Sequence, residues 1–338
     1  MKPIPRQFDI LILALFLFML PVVRLQAQAN PDGIGGCRVF PANNIWNTRI
    51  DSVPLDSSSD AYIASEGGSG AILHPDFGTK YNGAPNGIPF IVVPQDQPPV
   101  PIVFTDYGDE SDPGPYPIPP NAPIEGGKNS DGDRHVLVPQ SGTCILYEMY
   151  AAYPQPDGSW QAGSGAVFDL KRNGPLRPAG WTSADAAGLP IFPGLVRYGE
   201  VQKALAGDGV IHHALRFTVP NTRQQYIWPA RHWASNSNNP DYPPMGQRFR
   251  LKASADIDVY PGTGIPVSES NKVILRTLKA YGMFVADNGS SFYLSGAPNT
   301  SWDDDDLHNL GYYNATDFEA VDESGLMVNP NSGKARQP

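Results

Sequence analysis

The sequence predicts a mainly β protein: a single antiparallel β-sandwich, jelly-roll-like, carrying three or four short helices. Three observations predict it. The apolar runs are short and bounded by Gly, Pro, Asn or Asp. The 36 prolines and 34 glycines are scattered as turn punctuation and do not gather in one tract. Strand-like and helix-like segments do not alternate regularly, which argues against a parallel α/β fold.

In chain order, the first element is an address. "MKPIPRQF" is a short basic stretch, Ile10 to Val23 is almost wholly apolar, and Ala27-Gln28-Ala29 gives the small-x-small pattern that signal peptidases read. An apolar helix of that length rises only ~21 Å, short of a ~30 Å bilayer core. Residues 1–29 therefore read as a secretory signal peptide, 30–36 as a short linker, 37–328 as one β-rich domain and 329–338 as a flexible tail. Expected strands are 88–94, 100–107, 135–139, 144–153, 165–170, 211–219, 224–228, 248–253, 283–289 and 290–296. The last two meet at Asn288-Gly289, a type I′ hairpin signal.

Helices are expected where the apolar period lengthens. "SNKVILRTLKAYG" puts Val273, Ile274, Leu278 and Tyr281 on one face, with Gly282 as the stop. "VRYGEVQKALAGDG" reads as a second helix. Ser301 would cap a third through "DDDDLH", and Thr316 with Glu319 forms a Thr-x-x-Glu capping box. The acidic, Pro-rich stretch 107–127 reads as a lid, a binding loop or an insert.

The whole chain carries a net charge of −10. Removing residues 1–29 takes away three basic groups and one acidic group, leaving −12. Such a chain is not expected to bind nucleic acid, nor anionic membrane once the signal is removed. Cys37 and Cys144 are the only cysteines. In a secreted chain they read as one disulfide, worth ~4–5 kcal/mol in the chain-entropy account; two buried thiols are the alternative.

The candidate site residues fall in clusters. On a strand of period two, His213 joins an apolar stripe with Ile211, Leu215, Phe217 and Val219, either as a core histidine or as a base. His212 and Arg216 share the other face and suit a carboxylate or sugar hydroxyls. "YIWPARHW" adds Trp228, Arg231, His232 and Trp233: tryptophan faces stack on sugar rings and arginine forks grip carboxylates. "GDRH" sets Asp133, Arg134 and His135 at the mouth of a strand. "CILYEMY" places Tyr147 and Glu148 on opposite faces, and Glu148, like Asp169, needs a partner or water. Arg248, Arg250 and Lys252 share one face, either a solvated strip or a site for a uronate chain. No zinc spacing and no His-Glu-x-x-His occurs, so no metal site or cofactor is expected beyond loose Ca²⁺ ligation by Asp131 and Asp133.

"FPANNIWNTRIDS", "GDRHVLV", "CILYEMY", "GWTSADAAGLPIFPGLVRYGEV", "IHHALRFTV", "YIWPARH", "PPMGQRFRLKAS" and "LKAYGMFVADNG" together resemble a family of secreted proteins of soil bacteria and fungi that has no established activity. The resemblance spans about residues 37 to 328. It implies secretion and one folded unit, and it carries over no catalytic residue.

The functional expectation is a secreted, extracellular or periplasmic, monomeric carbohydrate-active protein whose partner is an extracellular polysaccharide, acidic or plant-type. A lyase would use Arg134 or Arg216 to neutralise a uronate, His213 or His135 as base and Tyr147 as acid. A glycoside hydrolase would pair Glu148 with Asp133 or Asp169. A non-catalytic glycan-binding module, or a structural surface protein, is the alternative.

Overall fold

The computed structural model describes Met1 and residues 34–338, so the signal-peptide reading and the first part of the 30–36 linker fall outside the described residues. Fourteen strands are present among them. They are β1 (His74–Asp76), β2 (Lys80–Tyr81), β3 (Ala84–Pro85), β4 (Ile102–Phe104), β5 (Val136–Gln140), β6 (Ile145–Tyr150) and β7 (Tyr153–Pro154). They continue with β8 (Trp160–Ala162), β9 (Ser164–Asp169), β10 (Leu215–Val219), β11 (Arg248–Leu251), β12 (Met283–Asn288), β13 (Tyr293–Ser295) and β14 (Phe318–Val321). Four α-helices accompany them: α1 (Ser59–Ser65), α2 (Tyr198–Leu205), α3 (Glu269–Ala280) and α4 (Asp304–His308). No helix among the described residues is long and apolar enough to cross a membrane.

The fold is sheet-rich, with several open sheets. The largest has six strands in the order β1-β13-β10-β12-β11-β14. A three-stranded sheet, β5-β6-β9, is antiparallel throughout. A second, β4-β8-β7, and the β2-β3 pair complete the set. The pairings β1/β13, β10/β12 and β4/β8 are parallel, which corrects the expected wholly antiparallel arrangement to a mixed one. The reason is the crossover: parallel neighbours need a long connection, and β11 and α3 both lie between β10 and β12.

That crossover also overturns the Asn288-Gly289 hairpin. β10 inserts between β12 and β13, so Phe217 faces Val285 on one side and Leu294 on the other. A two-residue turn cannot span two strand spacings, ~10 Å. The capping box shifts as well. Asn314 and Asp317 form it around a short 3-10 turn, while Glu319 lies in β14 and pairs with Arg250 at 2.7 Å. α4 is capped by Asp303, not Ser301.

α3 forms as its periodicity predicts, capped by Ser268 and burying Val273, Ile274 and Leu278. It stops at Gly282, whose φ of 63° and missing side chain let the Phe249 carbonyl approach; a Cβ there would come within 2.2 Å of that oxygen. The Cys37–Cys144 disulfide is formed. The 107–127 stretch is neither lid nor loose insert. Tyr116 and Ile118 are buried and join Val136, Val138, Met149 and Trp160 in a second hydrophobic cluster. Residues 329–338 are not a free tail: Ile45 N–H bonds the Gly333 carbonyl at 2.8 Å, and Ala335 N–H bonds that of Asn43 at 2.9 Å.

Candidate functional site

Between β9 and α2 the chain runs through residues 182–196, buried throughout except for the half-exposed Ala186. A buried connection carries peptide groups that must find partners, and its partners come from both large sheets. From β6, the Glu148 carboxylate accepts the N–H groups of Ile191 (3.0 and 2.9 Å) and Phe192 (2.8 Å). From the start of β5, His135 Nε2 meets the Ala184 carbonyl at 2.9 Å. From β12, the Ala286 carbonyl accepts Ala187 N–H at 2.9 Å. Burial pushes Glu148 up to about 7 while those backbone donors pull it down. Glu148 is thus an anchor for the connector and not, as expected, an acid facing substrate.

One face of the six-stranded sheet looks at this connector. Asp76 lies opposite Ser295, and Arg216 lies opposite Phe284. The Arg216 guanidinium grips Asp185 of the connector, with Nε to Oδ2 at 3.0 Å and Nη2 to Oδ1 at 2.9 Å, and donates to Ser295 Oγ at 2.5 Å. Asp287 joins this face through a β-bulge. The β10/β12 register slips by one between Phe217 and Thr218, so that Asp287 sits opposite Thr218. Without the extra residue, alternation would turn Asp287 to the opposite face. Burial, then the neighbouring charge of Asp185, pushes Asp287 up to about 7, against the pull of Arg216 and His135.

Glu125 completes the group. Its Oε2 lies 2.6 Å from His135 Nδ1. With Nε2 turned to a carbonyl, both ring nitrogens act as donors, which describes an imidazolium. Burial opposes that charge, but Glu125 outweighs it and His135 rises to about 9. His135 is therefore a fixed cation and not the base expected of it. Burial likewise opposes the Glu125 charge, and His135 outweighs it, leaving Glu125 below its ordinary range. The Glu125 side chain is 24% exposed against 4% for His135, and its Oε1 has no partner among the described residues. Asp76 is exposed at the edge of this face, and desolvation, with the Glu125 charge, raises its carboxyl above the ordinary range against the pull of Arg216.

The arrangement has an acidic mouth over a buried, charge-balanced floor. Asp133 lies close enough to raise both His135 and Tyr150, so it belongs to the rim, while burial is the larger influence on Tyr150. Ala186 links the mouth to an aromatic row. Its N–H points to Asp287 Oδ2 at 3.4 Å, and its carbonyl meets His232 Nδ1 at 2.8 Å. The His232, Trp233 and Tyr226 rings are nearly parallel, at interplanar angles of 7° and 13°. This keeps His232 and Trp233 as candidates for substrate contact.

The remaining expected residues are occupied elsewhere. Arg216 is buried and paired, because both faces of β10 are covered; it does not line a binding surface. Arg134, at φ 54°, donates to the carbonyls of Ala152, Lys128 and Ser130, clipping the loop before β5. Arg231 binds the carbonyls of Arg177 and Pro330 and the Asn331 side chain. Trp228 donates to the Ser332 carbonyl. Tyr147 packs on Tyr116 at 5.2 Å, away from the mouth. Asp169 pairs with Arg172 at 3.1 Å, lining a separate cleft of about 360 Å³.

His213 places Nδ1 on the Ala214 carbonyl and Nε2 beside Glu200 and Arg197, in a cleft of about 610 Å³ that His212 also lines. His212 is exposed and contacts Asp208 and Tyr281. Arg248 is fully buried, bound to Glu323 at 2.7 Å, so no Arg248–Arg250–Lys252 strip faces solvent. Among the described residues no group of three His, Cys, Asp or Glu is placed to hold a metal.

Sequence reasoning missed Asp76, Glu125, Asp185 and Asp287. Asp287 sits in "VADNG", where an aspartate ending an apolar strand was a usable signal; the bulge that aims it leaves no pattern. Comparison with family models, with curated proteins and with solved structures gave no match to this chain.

Proposed function

We propose that this chain is an extracellular carbohydrate-active enzyme that cleaves a polysaccharide by hydrolysis, with Asp287 as the acid and Glu125 as its carboxylate partner. One observation carries this: two carboxylates at one junction, under the same two cations, are driven in opposite directions. Asp287 retains a proton near neutrality and hands it to the glycosidic oxygen. Glu125, held ionised by His135, activates water or attacks the anomeric carbon. The Cys37–Cys144 disulfide and the signal-like N-terminus support an oxidising, extracellular setting, and kinship with the secreted family that the sequence resembles is part of the same reading. So is a sandwich-like frame, with the six-stranded and β5-β6-β9 sheets as its walls.

Hydrolysis is favoured over elimination because Arg134 and Arg216 are consumed by internal contacts and Tyr147 is turned away. The acidic mouth favours a neutral, plant-type polymer over a uronate at the cleavage point. The near-parallel rings of His232, Trp233 and Tyr226 favour, as a second reading, glycan binding without turnover. The test is incubation of the purified protein with neutral polysaccharides, reading reducing ends and unsaturated products together. The expected result is reducing ends alone, abolished in Asp287→Asn and Glu125→Gln. Unsaturated products, or cleavage surviving both substitutions, would overturn the assignment; binding with no cleavage would favour the second reading.

A further inference from the structure

A cleft of about 360 Å³ lies where the turn at 49–51, the end of β11 and the last turns of α3 meet. Four cations line it: Arg49, Arg250, Arg276 and Lys279. Asp51 is its one lining carboxylate, and Arg49 already holds it at 2.7 Å. In a chain with ten more acidic than basic groups, this concentration of positive charge requires a reason.

Local structure explains only part of it. Cations in the last turn of a helix complement its dipole, which accounts for Lys279 and contributes to Arg276. It does not account for Arg49 and Arg250, which arrive from two other segments. Lys279 Nζ donates to the carbonyls of Ala253 (3.0 Å) and Ala255 (2.6 Å), contacts that fix the ammonium without neutralising it. Arg250 is balanced by Glu319. Arg276 makes no hydrogen bond or ion pair among the described residues. Its guanidinium is set over Gly209, where a Cβ would come within 2.7 Å of Nη1. The cleft thus presents the Arg276 guanidinium, free of hydrogen bonds among the described residues, and the Lys279 ammonium, which Asp256 and Asp258 offset in part, beside an Arg49 fork already closed on Asp51. Its floor, Val210, Leu251, Ala253 and Ala280, is apolar.

We propose that this cleft is a second carbohydrate site, separate from the Asp287 junction, which holds an acidic glycan by its carboxylates. Arginine forks match carboxylate geometry, and an apolar floor suits the C–H face of a sugar ring. A uronate polymer satisfies both features, whereas a bare phosphate chain satisfies only the first. The site does not rest on the hydrolytic reading. It would tether the protein to an acidic matrix while the acidic mouth meets a neutral chain.

The test is the affinity of the purified protein for polygalacturonate and for polyphosphate, across a salt series. Wild type should bind polygalacturonate more tightly than polyphosphate, and added salt should weaken binding. Arg276→Ser should weaken it about tenfold, the loss of roughly one charge-assisted contact, and Arg49→Ser should weaken it too, because it uncovers the Asp51 carboxylate in the cleft. Asp287→Asn should leave it unchanged, which separates this site from the cleavage junction. No binding by wild type, equal affinity for polyphosphate, or undiminished binding by folded Arg276→Ser and Arg49→Ser would each overturn the proposal.

Discussion

Arg216 and Asp185 form a two-pronged ion pair, at 3.0 and 2.9 Å, that solvent barely reaches. It joins β10 to the buried connector 182–196 and so fixes the distance between the six-stranded sheet and β5-β6-β9. A buried pair of this kind contributes little net stability, because desolvation offsets the attraction, but breaking it strands a charge. Arg216→Ala should therefore lower the unfolding free energy by ~3–5 kcal/mol. The double change Arg216→Met with Asp185→Leu should lose much less. Denaturant titration checks both; an Arg216→Ala protein as stable as wild type would show that the pair anchors nothing.

Glu148 acts on the same connector from the other side. Truncation to alanine leaves the Ile191 and Phe192 N–H groups without acceptors in a dry interior, at ~1–3 kcal/mol for each orphan. Glu148→Ala should be clearly destabilised, and Glu148→Gln, which keeps one acceptor oxygen, less so. Cleavage per folded molecule should stay close to wild type in both. A stable Glu148→Ala protein with no activity would return Glu148 to the reacting atoms.

Much of the fold was legible because its signals are local. Period and capping at Ser268 set α3, turn residues bounded β5, β6, β9 and β10, and a lone pair of cysteines pointed to the disulfide. Pairing order was not legible: nothing in "ADNGSS" records that β10 slides between β12 and β13. The same holds for the site. His135 and Asp133 were visible as charged residues at a strand mouth. The residues that decide their chemistry, Glu125 and Asp287, arrive from distant segments through a proline-rich loop and a bulge. Arg216 and Arg248 misled because alternation assumes one wet face, and both strands that carry them are covered on both sides.

Stability should fall from mildly acidic to alkaline pH. Glu66, Glu148 and Asp287 are raised to about 7 and Glu323 to about 6, in each case first by burial. A carboxylate raised on folding binds more protons in the native state, so stability declines between its ordinary range, ~4, and that raised value. His135, raised to about 9, acts in the same direction: its contribution is full below ~6.5 and lost as pH rises through 9. Glu125 and Glu200 are lowered and act oppositely, only at the acid end. The melting temperature should thus be higher at pH 5 than at pH 8. A flat or rising curve over that interval would contradict these native protonation states.

Cleavage should show the same group kinetically. With Asp287 as the acid, kcat/KM should fall on the alkaline side through about pH 7, its value in the free protein. Burial is the larger cause of that value, and the Asp185 charge adds to it while Arg216 opposes it. Asp185→Asn removes a negative neighbour, so Asp287 should give up its proton more readily and the alkaline limb should move to lower pH. Glu125 stays ionised throughout this range because His135 does, so Glu125→Gln should lower activity at every pH; His135 then loses the carboxylate that holds its proton, its pull on Asp287 weakens, and the limb of any residual rate should move to higher pH. His135→Gln tests the link between them. Glu125 then loses the cation that holds it down, and an acid limb should rise into the measured range. Profiles that lack an alkaline limb near neutrality, or in which Asp185→Asn leaves it in place, would remove Asp287 from the role of acid.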